Sequence, residues 1–157
     1  MNEYELLLDK FDRRYLGYDE YEWEYITFSK IEALSTICTL IKKAKKIQIY
    51  HKPVNLKQGF YQENDVINAI NENKIVKIDY YSNFTEEDYE NKYILFRNSN
   101  NITYHNINFN IPNYHHKELV IDDKVLIFGS LNFLTNARLS SSDKGFFLEN
   151  VCFWLKS

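Results

Sequence analysis

The stretch from His115 to Asn132 constrains this 157-residue chain more than any other part of its sequence. It reads HHKELVIDDKVLIFGSLN and fits the pattern H-x-K-x4-D-x6-G-S-x-N without a gap. Two short apolar runs on either side of Asp-Asp-Lys predict two strands joined by a hairpin. Side chains two positions apart on a strand project to the same face. His115 and Lys117 are therefore predicted to lie together, while His116 points away.

The residue types in this pattern suit chemistry at a phosphodiester. Cleavage of this anionic ester without a metal needs a neutral nucleophile, positive charge near the phosphoryl oxygens and a proton donor. A histidine and a lysine supply these groups at His115 and Lys117. Backbone N–H groups at a tight turn after Gly129, the Ser130 hydroxyl and the Asn132 amide can meet phosphate oxygens. The stretch thus predicts a phosphate-binding site.

On these residues the chain resembles the phospholipase D superfamily, most closely the members that carry one motif copy and work as paired nucleases. The resemblance implies that His115 attacks phosphorus and forms a phosphohistidine, in a reaction that needs no metal ion and no cofactor. It implies that Lys117 and Asn132 bind the phosphoryl oxygens, with help from Ser130. Asp122, at the hairpin, is expected to hold the architecture and the charge balance of the site.

The resemblance also implies a residue and a partner beyond the motif. Glu149, in the sequence FFLENV, matches a family glutamate on the strand after the motif that orients the histidine, and a carboxylate in that role fixes the tautomer of the imidazole. Only one motif occurs in the chain, whereas family members normally need two. A homodimer that completes the active site therefore follows, since twofold dimers dominate among oligomers.

The expected substrate is nucleic acid, although the charge of the chain supports this only weakly. The net charge is −3, and residues 1–30 account for −4 of it, with eight acidic and four basic residues. Residues 31–157 carry a net charge of +1, which provides little electrostatic attraction for a polyanion. The basic run from Lys42 to Lys46 is interpreted as the end of a helix, where cations offset the helix dipole; attraction of a polyanion is the alternative.

Apolar spacing along the chain predicts an α/β fold in which helices flank a mixed β-sheet. Residues 1–30 form an acidic, aromatic N-terminal segment, interpreted as an edge strand with a packing helix or as an arm that meets a protein partner. Residues 31–157 form the phospholipase D-like domain. Helices are expected at 31–46, at 65–73 and from Thr85 towards Phe96, strands at 47–50, 75–81 and 146–155, and a loop or hairpin at 102–109.

Two other functions stay open at this point. One is a phosphodiesterase for phospholipids or small molecules. The sequence shows no amphipathic helix with a basic face for membrane binding, and this counts against a phospholipid substrate. The other is a non-catalytic module of a larger defence or regulatory complex. A cytoplasmic protein without a membrane span is expected, since no signal peptide or long apolar run occurs. Cys38 and Cys152 are expected to be buried thiols, and a disulfide between them stays open as the alternative. The domain is expected either to be trimmed at its C-terminus relative to the family or to be part of a longer protein.

Overall fold

The structure is a computed structural model, and it describes residues 21–27, 29–54, 64–90, 95–96, 101–107, 117–135 and 149–156. The strands in these ranges are β1 (Tyr21–Thr27), β2 (Lys46–His51), β3 (Lys77–Ser82), β4 (Ile102–Asn106), β5 (Lys117–Ile121), β6 (Val125–Gly129) and β7 (Val151–Lys156). The helices are α1 (Lys30–Lys42), α2 (Asp65–Glu72) and α3 (Glu86–Glu90).

Each helix begins at a polar residue that binds its first free N–H groups. The Ser29 hydroxyl accepts a hydrogen bond from the Glu32 N–H, and the Asn64 side chain accepts one from Ile67. Thr85 caps α3 through the Asp88 N–H, while the Asp88 carboxylate accepts from the Thr85 N–H. These caps satisfy donors that a helix cannot pair internally. The N-cap predicted at Thr85 is confirmed.

The strands form one mixed sheet in the order β1-β7-β6-β5-β2-β3-β4. The pairs β2–β3 and β3–β4 are parallel, and all other neighbours are antiparallel. Strand β1 therefore lies at one edge, as predicted for part of the N-terminal segment. The predicted fold class, a mixed α/β sheet flanked by helices, is confirmed.

The hydrophobic core lies between one face of this sheet and the helices α1 and α2. Alternate residues of the central strands point into it, as the half-buried pattern of a strand requires. Leu34, Ile37 and Ile41 face it from α1, and Val66, Ile67 and Ile70 face it from α2, as predicted for the second helix. This packing places the C-terminal end of β2 and the start of β5 at the same end of the sheet.

Several predicted boundaries are wrong, and tertiary contacts explain why. Helix α1 ends at Lys42, so Lys43 to Lys46 form a turn and the start of β2 instead of a last helical turn. The predicted loop or hairpin at 102–109 contains β4, which pairs in parallel with β3. The last strand begins at Val151, so Glu149 precedes the strand on which it was expected. In each case pairing with a neighbouring strand decides the boundary.

Two further findings concern the cysteines and membranes. Cys152 is buried, but Cys38 is only partly buried, and both are free thiols. No helix in the described ranges is long and apolar enough to cross a bilayer.

Candidate active site

Four strands bring the motif region together at one end of the sheet. His51, the last residue of β2, lies opposite Lys117, the first residue of β5. The next position on β6 is Gly129, which pairs with Val151 at the start of β7. Directly paired residues have Cβ atoms about 5 Å apart, so this end of the sheet gathers residues that are far apart in sequence.

Lys117 stands at a small, mostly apolar crevice. The chain segment that leaves β6 turns over this crevice, and Ile37 of α1 closes it from the core side; its lining residues are Ile37, Lys117, Ile127, Phe128, Gly129, Leu131, Phe133 and Val151. The Lys117 side chain is half-buried. A charged group at a crevice of low polarity attracts an anion more strongly than it would in water. The crevice thus joins the lysine of the motif to the residues that follow its glycine.

Gly129 is required for the tight junction between β6 and β7. Its φ is +149°, a value that residues with a side chain rarely adopt. A Cβ atom at this position would overlap the carbonyl oxygen of Asn150. The same carbonyl accepts a 2.8 Å hydrogen bond from the Ser130 N–H. The glycine of the motif therefore lets the Ser130 backbone approach the chain before β7.

Ser130 and Glu149 are bonded to each other. The Ser130 hydroxyl donates to Glu149 Oε2 at 2.5 Å and accepts from the Asn150 N–H at 2.9 Å. The hydroxyl proton is thus directed to the carboxylate, and in this arrangement Ser130 positions Glu149 instead of offering that proton to a phosphate. Glu149 is partly buried and lies beside the motif even though it precedes β7.

Among the described residues, the buried Oδ1 atom of Asn132 has no hydrogen-bond partner. The segment around it is fixed, because the Asn64 side chain donates to the Phe133 carbonyl at 3.1 Å and Thr135 N–H donates to the Asn132 carbonyl. Rotation of the amide by half a turn would bring its NH2 group to the same place, where it can donate to an anionic oxygen. The Asn132 amide therefore has a polar atom that forms no hydrogen bond with the described residues.

His51 is a residue of this region that the sequence did not single out. It is fully buried, and its Nδ1 donates to the Lys52 carbonyl at 2.8 Å, which leaves Nε2 as an acceptor without a partner in the part of the chain that the structure describes. Burial, the largest cause, and the neighbouring Lys52 and Lys117 charges lower the pKa of His51 to about 4. The imidazole is therefore neutral at pH 7 and packs edge-on against Phe133.

A second buried group lies beside His51. Ser82, the last residue of β3, follows the Tyr50–Tyr81 register pair, so it lies next to His51 on the neighbouring strand. Its hydroxyl is also buried, and no described residue forms a hydrogen bond with it. Sequence periodicity offered only one signal for these residues, since both polar side chains fall on the apolar face of their strands. Buried polar atoms without a hydrogen bond are uncommon in folded proteins.

Asp122 is not brought to this site. It lies in the hairpin at the other end of β5, roughly 16 Å from Lys117 by the rise of about 3.3 Å per strand residue. Its Oδ1 accepts hydrogen bonds from the backbone N–H groups of Lys45 (2.7 Å) and Lys46 (2.9 Å). This bonding agrees with the architectural role expected for Asp122, and separates it from direct chemistry.

His115 and His116 lie outside the described residues, immediately before β5. Their predicted orientations stay predictions. Within the described ranges, no group of three histidine, cysteine, aspartate or glutamate side chains is arranged to hold a metal ion. The structure thus brings together Lys117, Ser130, Asn132 and Glu149 from the predicted set, and adds His51.

The fold is similar to that of solved structures. Nuc from Salmonella typhimurium, a phospholipase D family member, has a TM-score of 0.57 and 17% identity, over 85% of this chain and 82% of that chain. NucT from Helicobacter pylori has a TM-score of 0.52 and 18% identity, over 83% and 84%. The chain has the phospholipase D fold.

A third solved structure has a similar fold at a lower sequence identity. Phosphatidylserine synthase from Haemophilus influenzae Rd KW20 has a TM-score of 0.51 and 12% identity, over 85% of this chain and 34% of that chain. No family model matches the sequence, and no curated protein compared with it matches. At these identities the likeness is one of fold, and the chemistry has to be argued from the residues.

Proposed function

We propose that this protein is a metal-independent phosphodiesterase, most directly a nuclease that cleaves DNA or RNA through a phosphohistidine in a homodimeric site. The observation that supports the proposal is that Lys117 shares a crevice with Gly129, next to the hydrogen-bonded Ser130–Glu149 pair, at one end of a phospholipase D fold. Lys117, Gly129 and Ser130 belong to the motif, and Glu149 follows it in the sequence. Lys117 offers positive charge for the phosphoryl oxygens, and Glu149 offers a carboxylate that can orient an imidazole.

In the proposed reaction, a nitrogen of His115 attacks phosphorus and the bond to the leaving oxygen breaks. The leaving oxygen takes a proton from His115 of the partner subunit. Water then attacks the phosphohistidine, gives its proton to that same histidine and frees His115. Lys117 and Asn132 hold the phosphoryl oxygens, and Glu149, positioned by Ser130, orients an imidazole. One histidine begins neutral and the other protonated, as coupled groups in a shared site can.

The test is cleavage of bis(4-nitrophenyl) phosphate and of labelled single- and double-stranded nucleic acids in the presence of EDTA. Cleavage should persist in EDTA, and His115→Ala and Lys117→Ala should each lower kcat at least about a hundredfold. His116→Ala is the matched control, since it removes the adjacent imidazole and should keep most activity.

Three outcomes would contradict the proposal. A strict requirement for a divalent cation would exclude the metal-independent mechanism. Faster turnover of phospholipid vesicles than of nucleic acid would favour a lipid substrate. Absence of any phosphodiester cleavage in a correctly folded dimer would favour a non-catalytic interaction module. The pH profile of kcat/KM should be bell-shaped, because both histidine forms are needed.

A further inference from the structure

A row of lysines lies at the end of the sheet opposite the candidate active site. It combines the C-terminal end of α1, the starts of β2 and β3, the turn after α2, the β5–β6 hairpin and the end of β7. We call this surface the lysine edge; its members are Lys42, Lys43, Lys45, Lys46, Lys74, Lys77, Lys124 and Lys156. All of them except the partly buried Lys46 are exposed.

Backbone contacts join five of these lysines in neighbouring pairs. The Lys77 N–H donates to the Lys45 carbonyl at 2.9 Å, and the Lys156 N–H donates to the Lys124 carbonyl at 2.7 Å. Lys46 pairs with Lys77 in the register of β2 and β3. From β7 to β3 the edge crosses four strand spacings of about 4.8 Å, or roughly 19 Å.

The charge of this edge exceeds what its structural role requires. Three carboxylates of the described residues accompany the eight lysines, those of Glu72, Asp122 and Asp123, and they leave the edge at +5. The ends of α1 and α2 contribute about −0.5 each. Since the whole chain carries −3, the rest of the molecule carries −8. The lysine edge is therefore a strongly positive strip on an acidic protein.

We propose that the lysine edge binds the phosphate backbone of a nucleic acid strand as a second attachment surface, away from the candidate active site. This inference rests on the proposed function for its choice of polyanion. A backbone with one phosphate per 3.4 Å of helix axis places about five phosphates along an edge of this length. Lysines on flexible stems bind such a backbone without reading its sequence.

Other partners fit this surface less well. Protein interfaces are depleted of lysine and enriched in aromatic residues at their centre, whereas Ile75 is the one exposed large apolar residue among the described residues of this edge. Membrane-surface binding likewise needs an apolar face to insert beside the basic one. A polyanion bound only through its phosphates needs neither.

The position of the edge predicts how it contributes. Along β2 it lies roughly 16 Å from the site end of the sheet, five residues at about 3.3 Å each. A short oligonucleotide in the active site cannot reach it, whereas a long strand can contact both surfaces. The edge should therefore raise affinity for long strands and leave the chemical step unchanged, because tethering at one surface raises the local concentration at the other.

The test is a triple charge reversal, Lys45→Glu, Lys77→Glu and Lys124→Glu, against the matched variant with arginine at all three positions. Binding is measured in the His115→Ala background, to prevent cleavage, by fluorescence anisotropy of a labelled 30-nucleotide strand over a range of salt concentrations. The glutamate variant should raise Kd at least about tenfold at low salt and lower the salt slope by about 2, at roughly 0.7 per lost contact. The arginine variant should keep the wild-type Kd and the wild-type salt slope.

The outcomes separate this inference from the proposed catalytic function. With His115 present, the glutamate variant should cleave bis(4-nitrophenyl) phosphate at the wild-type kcat, while KM rises for the long strand and not for a six-nucleotide strand. An unchanged Kd and salt slope, or an equal loss in the arginine variant, would overturn the inference without touching the chemistry. Lysine-dependent binding of phosphatidylserine vesicles, with no binding of the strand, would overturn it as well.

Discussion

At the scale of single residues, His51 is the least expected feature of the molecule. A fully buried imidazole with a bare Nε2 atom is held by one carbonyl and by Phe133, next to the lysine of the motif. The neutral ring adds no second positive charge beside Lys117. Protonation would place a second cation in a region of low polarity, where charge repulsion is strong.

This environment makes folding sensitive to acid. In the unfolded chain His51 takes up a proton near pH 6.5, but in the folded chain only near pH 4. Between these values the unfolded state binds more protons, so the free energy of unfolding falls as the pH falls from 6.5 to 4. The contribution is fully present above pH 6.5, and about 3 kcal/mol of it is lost by pH 4.

Urea unfolding at several pH values measures this effect. In His51→Leu, the difference in unfolding free energy between pH 7 and pH 4 should be about 3 kcal/mol smaller than in the wild type. His105→Gln is the control, since it removes a half-exposed imidazole. Its unfolding free energy should fall between pH 7 and pH 4 by nearly as much as that of the wild type. Equal pH dependence in wild type and His51→Leu would show that His51 is not the group responsible.

At the scale of elements, the β5–β6 hairpin has a structural function besides joining two strands. Asp122 and Asp123 both have a φ of +54°, a conformation that aspartate tolerates better than most residues. Asp122 accepts hydrogen bonds from the backbone N–H groups of Lys45, in the turn after α1, and Lys46, the first residue of β2. It therefore joins the β5–β6 hairpin to the segment that enters β2.

Alanine at the two hairpin aspartates should separate this function from the turn itself. Both substitutions place alanine at the same φ, but only Asp122→Ala leaves two backbone donors without their charged acceptor. We expect Asp122→Ala to be about 2–3 kcal/mol less stable than Asp123→Ala, whose lost ion pair with the exposed Lys46 is worth little. Thermal or urea unfolding measures the difference, and equal stabilities would contradict the proposed bracing by Asp122.

At the scale of the whole molecule, the proposed site is half of an active centre. A single His115 cannot both attack phosphorus and protonate the leaving oxygen in one step, so the mechanism requires a second chain. The two copies of the site would face each other across a twofold axis. The lysine edges, at the opposite end of each sheet, would then point away from this axis.

Mixing subunits tests the shared site. When wild-type and His115→Ala chains are unfolded, mixed in equal amounts and refolded, random pairing makes about one quarter of the dimers fully wild type. If both histidines are needed, activity per total chain should fall to about one quarter. If each chain works alone, it should fall to one half. An activity near one half, or a protein that stays monomeric at assay concentrations, would contradict the homodimeric site.

Sequence alone predicted the local parts of this protein. Residue types at close spacing predicted the motif hairpin and the helix cap at Thr85, and apolar periodicity predicted the helix at 65–73 and the α/β class. These features depend on contacts between near neighbours in the chain. Such contacts follow from backbone geometry and side-chain type.

Only the tertiary structure decided which distant residues meet. Strand pairing at long range placed His51 against Lys117, turned the 102–106 region into a parallel strand and ended α1 at Lys42, within its lysine run. It also brought Glu149 to Ser130 from outside the strand on which it was expected. Register across a sheet is set by the packing of whole faces, and no local pattern contains that information.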